Sequence, residues 1–241
     1  MPCGVALSKR GYNMKRNIKE KAIHYSKIIA TEKNFTLFII LTLVLIPLGE
    51  IATLVHNEYF VSQPVIVDFA GWVGSIMAVA YFITNRKKYY PSDFFLFTLF
   101  MFAVISSAFS HDRNQTLFGF YYDEWFIHYM AYFALMFAAT NVKKLKYKEY
   151  ILAAFVTVTT INIVPSVLES VGAWPYYAYF DAESHEENKW VYGLTQNSNF
   201  YAEISTVFTA CCTMLFLFAK SKKTCIILFV ADLLCFYCSI S

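Results

Sequence analysis

The chain has 241 residues, 58% of them apolar, 19% aromatic and only 15% charged, with a formal net charge of +3 and a mean hydropathy of +0.45. A soluble domain carries about a quarter charged residues and no runs of about 20 apolar ones, whereas such runs recur along most of this chain. The composition excludes an ordinary soluble enzyme and predicts an all-α polytopic transmembrane bundle, since helices satisfy their own backbone groups where no water can.

Residues 1–34 form a basic tail with no short apolar core and no small-residue cleavage site, so no cleavable signal peptide is expected and the first span serves as an uncleaved anchor. Met14-Lys15-Arg16 reads as a natural start within this tail, making residues 1–13 an upstream extension. From there to residue 241 the apolar runs predict spans at about 35–55, 64–84, 93–110, 124–140, 150–171, 199–219 and 224–240. A helix of about 20 residues rises roughly 30 Å, enough to cross the hydrocarbon core.

Orientation follows from charge. All 20 basic residues except Arg113 and Lys189 fall in the tail or in the loops after the second, fourth and sixth runs. The positive-inside rule places these segments in the cytoplasm and the last residue outside. The alternate loops, 111–123 and 172–198, are rich in tyrosine, tryptophan and acids. Most of those rings suit an interfacial belt, with sugar stacking as the alternative for one or two of them.

Five acids fall inside the runs: Glu50, Asp68, Glu169, Glu203 and Asp232. A carboxylate at the centre of a membrane helix costs about 3 kcal/mol, so such residues are paired, buried or functional. In the predicted topology all but Asp232 lie in the outer third of the membrane. Asn199, Glu203 and Thr206 share one helix face, as do Asn162, Pro165, Ser166 and Glu169, and as do Glu124, His128 and Tyr132. Three polar faces near one surface predict a water-accessible outer cavity lined by Glu50, Asp68, Glu124, His128 and Glu169. The competing reading has the same residues only joining helices or reaching to the interface. His128 is expected to bond Glu124 on its own helix rather than act as a proton acceptor. Of the six cysteines all but Cys3 lie in apolar runs, where they read as small hydrophobes rather than metal or redox groups.

The chain has no Walker A loop, no dinucleotide glycine fingerprint and no H-E-x-x-H motif. No soluble segment is long enough to bind a nucleotide sugar, so a transferase of this composition needs a donor already in the membrane. No cofactor, metal or nucleic acid partner is expected.

The segment Gly193–Glu203, GLTQNSNFYAE, resembles the signature of the O-antigen ligase and polymerase superfamily. Gly193, Asn197, Asn199 and Ala202 match its glycine, its Asn-x-Asn pair and its following alanine, which enter a helix from the outer side. The stretch SSAFSHDRNQTLFGFYYDEWFIHYMAYFALMF resembles the family's earlier loop and helix, with its small motif around Gly119. The chain departs from the pattern where the family carries arginines, offering Lys189 and Trp190 before the signature glycine and Tyr122, Asp123 and Glu124 after the earlier one. It also ends at Ser241, before the family's long outer loop with its catalytic histidine, which makes the chain resemble an amino-terminal fragment.

The resemblance implies a membrane glycosyltransferase of the cytoplasmic membrane, moving or polymerising glycans from undecaprenyl-diphosphate onto a glycan or lipid acceptor at the outer face. Arg113, Lys189, Gly193, Asn197, Asn199 and Glu203 become the candidate substrate-binding residues, and the catalytic residue is expected beyond Ser241. The alternatives are a transporter or channel, which would need acids along a path through the bilayer, and a non-catalytic membrane assembly subunit.

Overall fold

A computed structural model of the chain describes residues 18–56, 62–84, 91–111, 116, 126–173, 191, 193, 198–218 and 221–240. Among the described residues there are eight helices and no strands: α1 (Ile18–Ile29), α2 (Glu32–His56), α3 (Ser62–Thr84), α4 (Pro91–Ala108), α5 (Phe126–Asn141), α6 (Leu145–Ser170), α7 (Ser198–Phe218) and α8 (Lys222–Ile240). Each apolar run corresponds to one of α2 to α8. The largest departure is at α6, which starts at Leu145 rather than 150, because a helix can run through charged residues such as Lys146 and Lys148 before the apolar run begins. α1 lies within the basic segment that reads as a tail from composition.

By length and composition, Val65–Thr84 of α3, together with α4 and α6, can each cross a membrane. The pair Ile18–Ile29 and Glu32–Ile46, bent by 59° at its break, passes the same test when taken as one element. α4 leaves Phe94, Phe95, Phe97 and Phe102 exposed, a surface suited to lipid rather than to water.

The chain divides into two compact units, residues 1–39 with 67–148, and residues 40–66 with 149–241. In the first, α3 meets α5 through small residues. A Cβ on Gly71 would lie 2.8 Å from the Ile127 carbonyl oxygen, and one on Gly74 would strike the Ala134 Cβ and come within 2.9 Å of Phe38. Glycine is needed at both places because backbones that close leave no room for a side chain. Towards the other end of α3, Tyr81 packs edge-on against Phe137 at 5.2 Å between centroids, and Phe35 of α2 does so at 6.0 Å. Edge-to-face pairs of this kind add about 0.5–1.5 kcal/mol each to the burial of their rings.

These contacts set direction. Phe35 lies near Tyr81 and Phe38 near Gly74, so α2 enters antiparallel to α3, while α3 and α5 run parallel. α4 runs antiparallel to α5, with Phe100 against Phe126 and Phe133 and with Asp93 against Asn141. A cavity of about 230 Å³ lies between α3, α4 and α5, walled mainly by apolar side chains, five of them phenylalanines, with Asp93 in its lining. The backbone N–H groups of Lys143 and Lys144, just before α6, donate to one Glu32 carboxylate oxygen at 3.2 and 3.0 Å.

In the second unit α6, α7 and α8 share a core of Ile163, Phe208, Cys212, Ala231 and Cys235, bordered by Phe155, Val156, Val167 and Leu228. Val191, Tyr201 and Cys238 form a second cluster. Cys212, Cys235 and Cys238 thus pack as core hydrophobes. α7 and α8 make an antiparallel hairpin, with Phe216 near Phe229 and the Cys225 thiol donating to the Phe216 carbonyl.

Candidate functional site

The most heavily constrained polar site lies where α6 ends and the chain returns towards α7. α6 passes through Pro165 and stops in a Schellman turn: the Ala173 N–H donates to the Leu168 carbonyl at 2.7 Å and the Gly172 N–H to that of Glu169 at 2.9 Å. Gly172 has φ +73°, the left-handed conformation this cap requires, and space lies open around it.

Asn162, Ser166 and Glu169, placed on one face by helical spacing, are all buried. Ser166 returns its hydroxyl to the Asn162 carbonyl of its own helix at 2.8 Å. Glu169 instead reaches out of the helix, and its Oε2 accepts the N–H of Gly193 at 2.9 Å. Gly193 is needed here for two independent reasons. Its φ is +58°, and a Cβ would come within 2.7 Å of both Asn162 Oδ1 and Ser166 Oγ and 3.0 Å of the Tyr201 ring. The turn therefore sits directly on the polar face of α6, and the Glu169 carboxyl holds it. Beside it the Tyr201 hydroxyl is buried near Ser166, Ser205, Cys235 and Cys238, without a hydrogen bond of good geometry to a described residue.

A second polar pair belongs to the other unit. His128 Nε2 lies 3.5 Å from Asp68 Oδ1, joining the beginnings of α5 and α3. The imidazole is buried and the carboxylate about a third exposed. A carboxylate so placed can orient the ring. Asp68 belongs to another helix and is brought beside the ring by the close α3–α5 packing at Gly71. Glu124, expected to bond His128, lies outside the described residues.

Arg113, Lys189 and Asn197 also lie outside the described residues, and Glu50 and Asn199 belong to α2 and α7 with side chains outside them. Glu203 is exposed on α7, on the side opposite the buried Tyr201, Ser205, Phe208 and Cys212. The structure thus joins Glu169 with Gly193 and Asp68 with His128, and Glu203 faces away from the first of these groups. Asp232 pairs with the Thr213 hydroxyl at 3.4 Å across the α7–α8 hairpin.

Sequence reading misses two features. Asp93 is buried and accepts from Asn141 Nδ2 at 3.3 Å. It stands at the first position of its apolar run and so passes for a boundary residue. Tyr201 and Ser205 recur with Phe208 and Cys212 at helical spacing, a stripe that could have identified the packed face of α7.

Comparison of the chain with family models, with curated proteins and with solved structures gives no match.

Proposed function

We propose that this chain is a membrane glycosyltransferase of the O-antigen ligase and polymerase type. It spans the membrane seven times from a cytoplasmic amino terminus and acts on undecaprenyl-diphosphate-linked glycans at the outer face. The observation that carries the reading is the Gly193 turn: left-handed, pressed onto Asn162 and Ser166, and bonded through its N–H to Glu169. It begins the segment whose residues resemble the family's signature, and a transferase needs such a fixed point. Substrate groups misplaced by about 1 Å lose on the order of a hundredfold in rate.

In this reading Asn197 and Asn199, on the segment that follows Gly193, meet the glycan or its diphosphate. Arg113 and Lys189 offset the charge that develops on the leaving diphosphate. A transporter calls for acids free to line a path, whereas Glu169 engages a backbone N–H and Asp232 a threonine hydroxyl. Those engagements support the transferase over the transporter.

The test uses the complete reading frame containing this chain, expressed in a strain that lacks its own copy and accumulates undecaprenyl-linked glycan. Asn197→Ala and Asn199→Ala are expected to reduce transfer by about a hundredfold while the protein stays inserted and abundant on immunoblots. Parental transfer rates from both variants would refute the assignment and bring the transporter reading forward.

A further inference from the structure

α1 is a short helix with three lysines, Lys19, Lys21 and Lys27, and one acid, Glu20. Ile18, Tyr25 and Ile28 share a face at i, i+7 and i+10 and are 59%, 60% and 55% exposed. Ser26, on another side, is buried, whereas the Ile18–Tyr25–Ile28 face is uncovered. Glu20 and Lys27 lie on the side opposite that face, while Lys21 falls within it, where its long stem can run along the apolar surface and carry the ammonium outward.

The junction with α2 is a built elbow. Thr31 caps α2, its Oγ1 accepting the Asn34 N–H at 3.2 Å. The Asn34 amide in turn donates to the last carbonyls of α1, Ile28 at 2.8 Å and Ile29 at 3.2 Å. One residue therefore ties both helix ends and holds them at 59°. If α2 stands near the membrane normal, α1 leans strongly towards the membrane plane, at the end of the span where the basic residues gather.

We propose that α1 is an interfacial anchor lying in the headgroup layer of an anionic phospholipid leaflet, with Ile18, Tyr25 and Ile28 at the acyl boundary and the lysines at phosphate level. Lipid is the occupant for two reasons. α1 runs directly into α2, the two together long and apolar enough to cross a membrane, and its lysines, with Lys15, Arg16 and Lys33 close in sequence, match an anionic surface and would repel a second copy of themselves. The inference rests on the membrane reading of α2 and is independent of glycan transfer.

The test is site-directed spin labelling of the full chain. The six native cysteines are replaced by alanine and single cysteines are placed along residues 18–29. The protein is reconstituted in vesicles of phosphatidylcholine with phosphatidylglycerol. Collisions with oxygen are expected to peak at 18, 25 and 28, and collisions with an aqueous nickel chelate at 20 and 27. Labels at Leu37 and Leu41, exposed on α2, serve as the lipid reference. The pattern should fade in phosphatidylcholine alone and in the K19E/K21E/K27E variant. Uniform access to nickel along α1 would overturn the proposal, as would protection of the face from both reagents, which would mean that protein covers it. Nickel access at Leu37 and Leu41 as well would remove the membrane reading of α2 and the proposal with it. Hydrogen exchange on the wild-type chain needs no cysteine replacement. It should show slower exchange in α1 when phosphatidylglycerol is present, and equal exchange in both vesicles would also overturn the proposal.

Discussion

Gly172 and Gly193 provide a paired measurement on the candidate site. Both have left-handed backbones, at φ +73° and +58°, but a Cβ on Gly172 meets open space while one on Gly193 meets two buried polar oxygens at 2.7 Å. Alanine at either position incurs the left-handed penalty of about 1–2 kcal/mol. At Gly193 the methyl group must also displace Asn162 and Ser166 within a packed site, adding about 1–3 kcal/mol. Gly172→Ala should therefore destabilise by about 1–2 kcal/mol and Gly193→Ala by roughly 2–5 kcal/mol. Adding N162A and S166A to Gly193→Ala removes both oxygens and should recover part of the second contribution. The assay is equilibrium unfolding in mixed micelles titrated with dodecyl sulfate, followed by tryptophan fluorescence. If Gly193→Ala proves no more destabilising than Gly172→Ala, the turn does not press on α6 and the site as described is wrong.

Other outcomes follow from the remaining contacts. Gly71→Ala and Gly74→Ala should each cost about 1–3 kcal/mol by wedging α3 from α5, measured by the same titration, with Ala78→Ser as a nearby control expected to do little. A double-mutant cycle on Asp68→Ala and His128→Ala should give a coupling of about 0.5–3 kcal/mol, and additive effects would show that the two side chains do not interact. Glu32→Ala removes the acceptor of the Lys143 and Lys144 N–H groups and should cost about 1 kcal/mol, seen as faster hydrogen exchange at those two amides. Reporter fusions at Lys88, Lys146 and Lys222 should read cytoplasm and those at Asn114 and Glu186 outside, with a cytoplasmic signal at Glu186 contradicting the seven-span topology.

The helical class and the places of α2 to α8 were legible in the sequence because each is an apolar run bounded by charged or turn-forming residues, a local property of the chain. The shared face of Asn162, Ser166 and Glu169 was legible for the same reason, since helical periodicity alone puts them together. α1 was not, because lysines every few residues mask a short apolar stripe in any composition window. Partners across helices were equally hidden. Periodicity offers His128 only Glu124, four residues before it, and says nothing of Asp68, which lies beside it because Gly71 lets α3 approach α5 closely. Asp93 looked like a boundary until Asn141, 48 residues away, closed over it. The resemblance singled out Gly193 by its place in a motif, but only the packed structure gives the physical need for glycine there: a positive φ, a carboxylate on its N–H, and no room for a methyl group.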